Sequence, residues 1–301
     1  MTDVGVRRGR HRGRSQNQLP LDLFEFEQSE FEQSDFDAAV QSLGSAPQPT
    51  PEQVVASVAA TGGPAAPPPD GHWSDALGVF DLETTGVDTA TARIVTAHVG
   101  LIDETGAIVE RKEWLVDPGV PIPEGATAIH GISTARAQRF GRSPAAVIPE
   151  IVAAIAAVFE RGFPLVIYNA PYDLTLLAAE TRRCGVAGID LPAPVVDPLV
   201  LDRAVDRYRK GKRTLTASAA EYGVPLLDAH EAGADAVAAG RLAQAIARRH
   251  AERLRHSAVD LHDLQVAWSR EQTARFTDYM RRARDPLFST SDAWPVRALK
   301  L

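Results

Sequence analysis

The sequence predicts an α/β domain built on a mixed β-sheet, preceded by a long tail that has no core of its own. Three observations carry this expectation. Three strand-like runs of antiparallel type come first: LGVFDLETT, RIVTAHVGLID and AIVERKEWLV. Short apolar runs then alternate with segments of helical spacing, as in a sheet with helices packed on it. Ahead of all of these, residues 44–70 hold seven of the chain's 21 prolines and three glycines, a linker composition.

Residues 1–74 are read as a disordered tail and Pro/Ala-rich linker. Arg7, Arg8, Arg10, Arg12 and Arg14 open it in the manner of a signal n-region. Ser15-Gln16-Asn17-Gln18 follows in place of an apolar core, so export is rejected. The next stretch, to residue 43, carries acids and no Lys or Arg, and includes an imperfect FEQSE–FEQSD repeat that reads as solvated low complexity. Within it lies an apolar island, QLPLDLF, at residues 18–24. Leu19, Leu21, Leu23 and Phe24 have no core to enter there, so a partner's groove is their natural destination.

The folded domain is expected over residues 75–250. Its first three strands are the runs quoted above, with Asp103-Glu104-Thr105-Gly106 as the hairpin turn between the second and third. Helical spacing runs from Pro144 to Glu160, PLVIYN reads as a short buried strand, and a helix follows from about Tyr172 to Arg183. APVVD is another short strand, and helices fill the chain to about Met280. Residues 251–301, with LHDLQVAWSREQTARFTDYM as their helix and an irregular end, are expected to pack on the domain and not to form a second one.

Composition narrows the class. The 45% hydrophobic content is enough for a sizeable core. Cys184 is the only cysteine, which excludes an intramolecular disulfide and suits a reducing compartment. The best apolar run, Ile151–Phe159, falls well short of the roughly 20 residues a membrane span needs. A soluble cytoplasmic protein without a membrane partner is expected. The net charge of −7 weighs little against nucleic acid, because an enzyme that holds one strand end does not need the basic stripe of a duplex reader.

The chemistry concentrates in VFDLETTG. Side chains alternate along a strand, so Asp81 and Glu83 project side by side, roughly 7 Å apart at the backbone. Leu82 between them faces the core. Two like charges at a strand end are costly unless a cation neutralises them, and hard oxygen ligands suit Mg2+ or Mn2+. Alone, Asp-x-Glu reads first as a solvated strand end and only second as a metal site. Asp173, in YNAPYDLTLL, stands at a helix start, where an acid also simply complements the helix dipole. His230 and Asp235, in HEAGAD, lie five positions apart, roughly 140° around a continuous helix. They converge only if His230 hangs in the loop before a helix whose first turn holds Asp235, an entry that Gly233 allows. Alone, His230 reads better as an idle loop histidine.

Together, FDLETTG, YNAPYDLTLL and HEAGAD resemble the DEDDh 3′–5′ exonucleases. This is the DnaQ-like family that includes the epsilon proofreading subunit of bacterial DNA polymerase III. The resemblance covers about residues 76–250, and TAIHGIS (127–133) looks like the family's substrate-lining loop between the third strand and the following helix. It implies a ribonuclease H-like fold with a five-stranded mixed sheet flanked by helices. It also implies that Asp81, Glu83, Asp173 and Asp235 hold two divalent ions, Mg2+ or Mn2+, with His230 as general base. Thr84, His130 and Asn169 become candidates to hold the terminal nucleotide, with turn roles as the alternative for Thr84 and Asn169. One departure is Tyr168, where many members have His before Asn-Ala; altered substrate packing is expected there.

The resemblance implies removal of nucleoside 5′-monophosphates from single-stranded DNA 3′ ends, in proofreading or repair. QLPLDLF, from Gln18 to Phe24, looks like the clamp-binding peptides of bacterial replication proteins. It implies a tether to the sliding clamp, with a replicative polymerase subunit as a further candidate partner. Two alternatives stand beside this. An RNA-trimming exonuclease of the same family has the clamp-like peptide against it, and a catalytically silent docking protein has the intact five-residue set against it. The cluster Arg203, Arg207, Arg209, Lys210, Lys212 and Arg213 reads as a solvated helix end and loop, or as a phosphate-steering patch. Gly211-Lys212-Arg213-Thr214 is no P-loop, since position 213 should be Ser or Thr and the upstream glycine is absent.

Overall fold

A computed structural model describes residues 72–190, 192–226 and 232–299. The Arg-rich start, the Pro-rich segment and the 18–24 peptide lie outside the described residues, as does His230. Five strands form one sheet in the order β3-β2-β1-β4-β5. They are β1 (Leu77–Thr84), β2 (Ile94–Ile102), β3 (Ile108–Leu115), β4 (Leu165–Val166) and β5 (Val195–Val196). β1, β2 and β3 pair antiparallel in sequence order, while β4 joins β1 and β5 joins β4 in parallel. This is the mixed sheet that the order of strand-like runs predicts.

The alternation along β1 divides the core in two. Phe80 and Leu82 face α3 (Pro144–Glu160) and α4 (Ala170–Cys184), joining Ile148, Ile151, Ile155, Leu174 and Leu177. Leu77 and Val79 face the other way, onto Ala236, Val237, Leu242 and Ile246 of a later helix, Ala232–Arg249. α3 buries Val147, Ile148, Ile151, Ala154, Ile155 and Val158, a stripe at helical spacing that matches its sequence reading. The two-residue β4 and β5 are shorter than PLVIYN and APVVD led us to expect. Their side chains are fully buried, and the parallel centre of a covered sheet reads as a continuous apolar run whether or not each residue is in the ladder.

Two short helices were not anticipated. α1 (Glu124–His130) and α2 (Thr134–Phe140) follow β3. Gly131, in the left-handed region at φ 73°, ends the first of them. His130 therefore ends a helix instead of sitting in an extended loop. α4 begins two residues before the expected start. Beyond it come α5 (Pro198–Val205), α6 (Leu215–Tyr222), α7 (Ala232–Arg249) and α8 (Ala258–Ala283). Asp197, Thr214 and Ser257 accept backbone N–H groups at the starts of α5, α6 and α8. No helix among the described residues is long and apolar enough to cross a membrane.

The expected tail boundary at residue 74 is corrected by Trp73. Its ring is buried in the α7 side of the core, and its Nε1 donates to the Leu254 carbonyl at 3.0 Å. The basic cluster is also corrected in part. Arg209 and Arg213 turn inward onto Asp202, which is fully buried: Arg209 Nη2 and Arg213 Nη1 donate to its Oδ2 at 2.7 and 2.5 Å. Tyr222 Oη donates to its Oδ1 at 3.0 Å. A buried carboxylate needs such partners, so these two arginines balance an internal charge and do not face solvent.

Candidate active site

β1 carries its acids on the α7 face, in line with Leu77 and Val79, at the end where the apolar row stops. Asp81 lies opposite His98 and Glu83 opposite Thr96 on β2, and the register shifts between Glu83 and Thr84. α7 crosses this face so closely that a Cβ on Gly240 would stand 2.6 Å from both Val79 Cγ1 and Ile102 Cδ1. That approach brings Asp235, in the first turn of α7, over the end of β1. Gly233 has a different reason from the loop entry expected for it. It is the second residue of α7, and a Cβ there would lie 2.6 Å from Glu113 Oε1 and 3.0 Å from His98 Nδ1.

Asp81, Glu83 and Asp235 each offer a carboxylate oxygen, and these oxygens lie within 4.8 Å of one another. Asp173, in the first turn of α4, approaches from the other side of β1. Its Oδ1 accepts the Leu82 N–H at 3.1 Å, and its side chain is buried. Asp81, Glu83 and Asp173 are all raised, and burial is the first cause in each. Burial pushes Asp81 well above the usual carboxylate range, and Asp173, Glu83 and Asp235 add to it in that order. Burial lifts Glu83 to about 8, with Asp235 and Asp173 contributing. Burial also raises Asp173, against the two backbone N–H groups that hold it. Oxygen donors this close, half-buried and without a basic residue among them, fit a hard divalent cation. His230, the fifth member of the expected set, lies outside the described residues.

Of the three candidate nucleotide-holding residues, Thr84 and His130 meet at the end of β1, and Asn169 stands at the start of α4. The Thr84 hydroxyl lies 2.9 Å from the Gly86 carbonyl and 2.5 Å from Tyr172 Oη, which itself donates to that carbonyl at 2.6 Å. Thr84 thus ties the turn after β1 to the start of α4. His130 is buried, and its Nδ1 accepts the Ile132 N–H at 3.2 Å. The neutral ring then carries its proton on Nε2. Burial holds its pKa below the ordinary value, partly offset by the Thr84 backbone. Asn169 precedes α4 with φ 60° and ψ 49°, the only non-glycine residue with positive φ among those described. Asparagine tolerates that conformation better than most side chains.

Three residues hold the site in ways that residue order did not reveal. Tyr172 braces the turn as described. Tyr168, flagged as a departure, donates its hydroxyl to the Arg213 carbonyl at 2.6 Å and so links the end of β4 to the loop before α6. Asp197, quoted as the last residue of APVVD and given no role, is buried and accepts the N–H groups of both Asn169 and Ala170 at 3.0 Å. The signal for it was Asp-Pro after an apolar run, which marks a helix start.

The exonuclease family model, RNase_T, matches residues 79–243. A PolC-type DNA polymerase III of Lacticaseibacillus paracasei is 31% identical over 175 residues, 58% of this chain and 11% of that protein. A DNA polymerase III subunit epsilon-like protein of Rhodobacter capsulatus is 34% identical over 164 residues, 53% of this chain and 22% of that protein. The chain thus spans only a small part of the length of these relatives. Among solved structures, E. coli exonuclease I in complex with a dA16 oligonucleotide superposes with a TM-score of 0.50 at 20% identity, over 60% of this chain and 42% of that one. At that identity the likeness is one of fold.

Proposed function

Since this chain belongs to the RNase_T exonuclease family, we propose that it removes nucleoside 5′-monophosphates from DNA 3′ ends. It would do so with two divalent cations, Mg2+ or Mn2+, held by Asp81, Glu83, Asp173 and Asp235. The observation that carries the proposal is the meeting of three carboxylates from β1 and α7, within 4.8 Å, with Asp173 acting on Asp81 from α4. When bound, such ions make water a better nucleophile and stabilise the departing oxygen of a phosphodiester.

The chain's own residues supply the rest. Asp81 feels Asp173, Glu83 and Asp235 together, so it would be central to holding the ions. His230 takes the proton of the attacking water, and an ordinary histidine pKa near 6.5 suits that task around neutral pH. His130, Thr84 and Asn169 line the seat of the terminal nucleotide beside the end of β1. The peptide Gln18–Phe24 docks on a sliding clamp, and the segment between it and the domain keeps the nuclease near DNA ends at raised effective concentration. A replicative polymerase subunit is the second candidate partner, and the cytoplasm the place of action.

A 5′-labelled single strand of DNA, and the same sequence as RNA, incubated with Mn2+ or with EDTA, tests the proposal. The DNA should shorten in single-nucleotide steps, EDTA should stop it, and Asp81→Asn should be inactive while folded. Shortening that survives EDTA, or an Asp81→Asn protein with near-parental turnover, would count against the site. Faster shortening of the RNA would favour an exoribonuclease.

A further inference from the structure

The exonuclease family model ends at residue 243, yet residues beyond it reach the turn from which the helix of Asp173 departs. Gln265, fully buried on α8, accepts the Asp197 N–H at 2.7 Å and donates to the Val195 carbonyl at 3.0 Å. Trp294, buried in the segment after α8, directs Nε1 at Asp197 Oδ2 from 3.4 Å. Next to it, the Arg297 N–H donates to Thr175 Oγ1 at 2.9 Å, two residues along α4 from Asp173.

Asp197 is where these ties meet the site. Its Oδ1 accepts the N–H groups of Asn169 and Leu199, and its Oδ2 that of Ala170, all at 3.0 Å. A carboxylate accepts on both oxygens; a carboxamide would set its NH2 against one of those donors. The two N–H groups on the Asn169 side belong to the left-handed residue and to the first residue of α4. They fix the rotation at which α4 begins, and Asp173, in that first turn, meets the Leu82 N–H of β1 as a result.

We propose that Asp197 is a positioning residue for the metal site, and that α8 with Trp294 is a working part of the nuclease: it holds Asp197, which holds the Asn169 turn, which sets Asp173. The inference rests on the exonuclease reading above. No atom of Asp197 needs to touch substrate or metal.

The test uses the full chain and Mn2+ alone as probe. Trp294→Phe removes the donor and keeps an aromatic ring in the core, and Asp197→Asn removes one acceptor. Free Mn2+ is counted by electron paramagnetic resonance, and hydrolysis is followed across Mn2+ concentration. Losing an outer partner of a ligand weakens metal binding by about 10–100-fold. We expect Asp197→Asn to bind Mn2+ at least about tenfold more weakly, with Trp294→Phe shifted the same way, and the rate to recover toward the parental value at saturating Mn2+. Circular dichroism should match the parent. If Asp197→Asn fails to fold, Trp294→Phe decides. Parental Mn2+ affinity in a folded variant overturns the inference, as does a lowered rate that Mn2+ does not restore. A parent chain that neither binds Mn2+ nor shortens DNA fails the exonuclease reading and this inference together; an active parent with unaltered variants fails the inference alone.

Discussion

Adding Mn2+ to the metal-free protein at pH 7 should expel protons, because the acids that meet the ion are not all ionised beforehand. Glu83 is lifted to about 8, first by burial and then by Asp235 and Asp173. At pH 7 about nine-tenths of the molecules therefore carry its proton. Asp81 and Asp173 are raised too, by burial first. A hard cation takes up ionised carboxylates, so close to one proton should leave from Glu83. Affinity should then gain about tenfold per pH unit for each proton displaced, and flatten above about pH 8. Calorimetric titration in two buffers of different ionisation enthalpy gives the proton count. The same shift has a sign for stability. Glu83 rises from an ordinary 4.5 to about 8 on folding, so its contribution is complete below about 4.5 and disappears as pH climbs through 8. The melting point of EDTA-treated protein should fall over that window, and Mn2+ should reverse the fall. Tight binding at pH 7 with no proton released would refute the account of the cluster.

Three further expectations concern other parts of the chain. Gly240→Ala would place a methyl 2.6 Å from Val79 Cγ1 and Ile102 Cδ1, so α7 must lift. Overpacking of this kind costs about 1–3 kcal/mol, and a thermal melt with and without Mn2+ should show a lower midpoint and weaker stabilisation by the ion. His230→Ala should lose at least about 10²-fold in hydrolysis and flatten the acid limb of the pH–rate profile; a profile identical to the parent's would deny it the role of base. Replacing Leu23 and Phe24 with Ala should abolish binding to a purified sliding clamp while free oligonucleotides are still degraded, and retained clamp affinity would dispose of the tether.

Much of this was legible from residue order. LGVFDLETT read as a strand, and its alternation put Leu82 on one side of it, toward the core, and Asp81 and Glu83 on the other. The structure adds that this is the α7 side, which depends on Gly240 and hence on packing far along the chain. α1 and α2 escaped notice because seven residues make too short a period to detect, and the glycines after them read equally well as loop. The inward turn of Arg209 and Arg213 could not be foreseen, since their partner Asp202 precedes them by seven and eleven residues across a helix end and a loop. Charge runs usually face solvent, and only the fold reveals a buried acid to hold them. Asp197 was hidden in the same way: the chain returns from residue 265 to accept its N–H and from residue 294 to reach its carboxylate.

The eight residues of β1 have no idle side. One row is wedged against α3 and α4, and the other runs from the packed interior directly into the acids. Any remodelling that slackens or tightens the middle of this strand, at Val79 or Phe80 for instance, is transmitted along a short stiff rod to the acids proposed to hold the ions. An engineer seeking a hardier version of this protein should leave that rod alone and work on the outer face of α3.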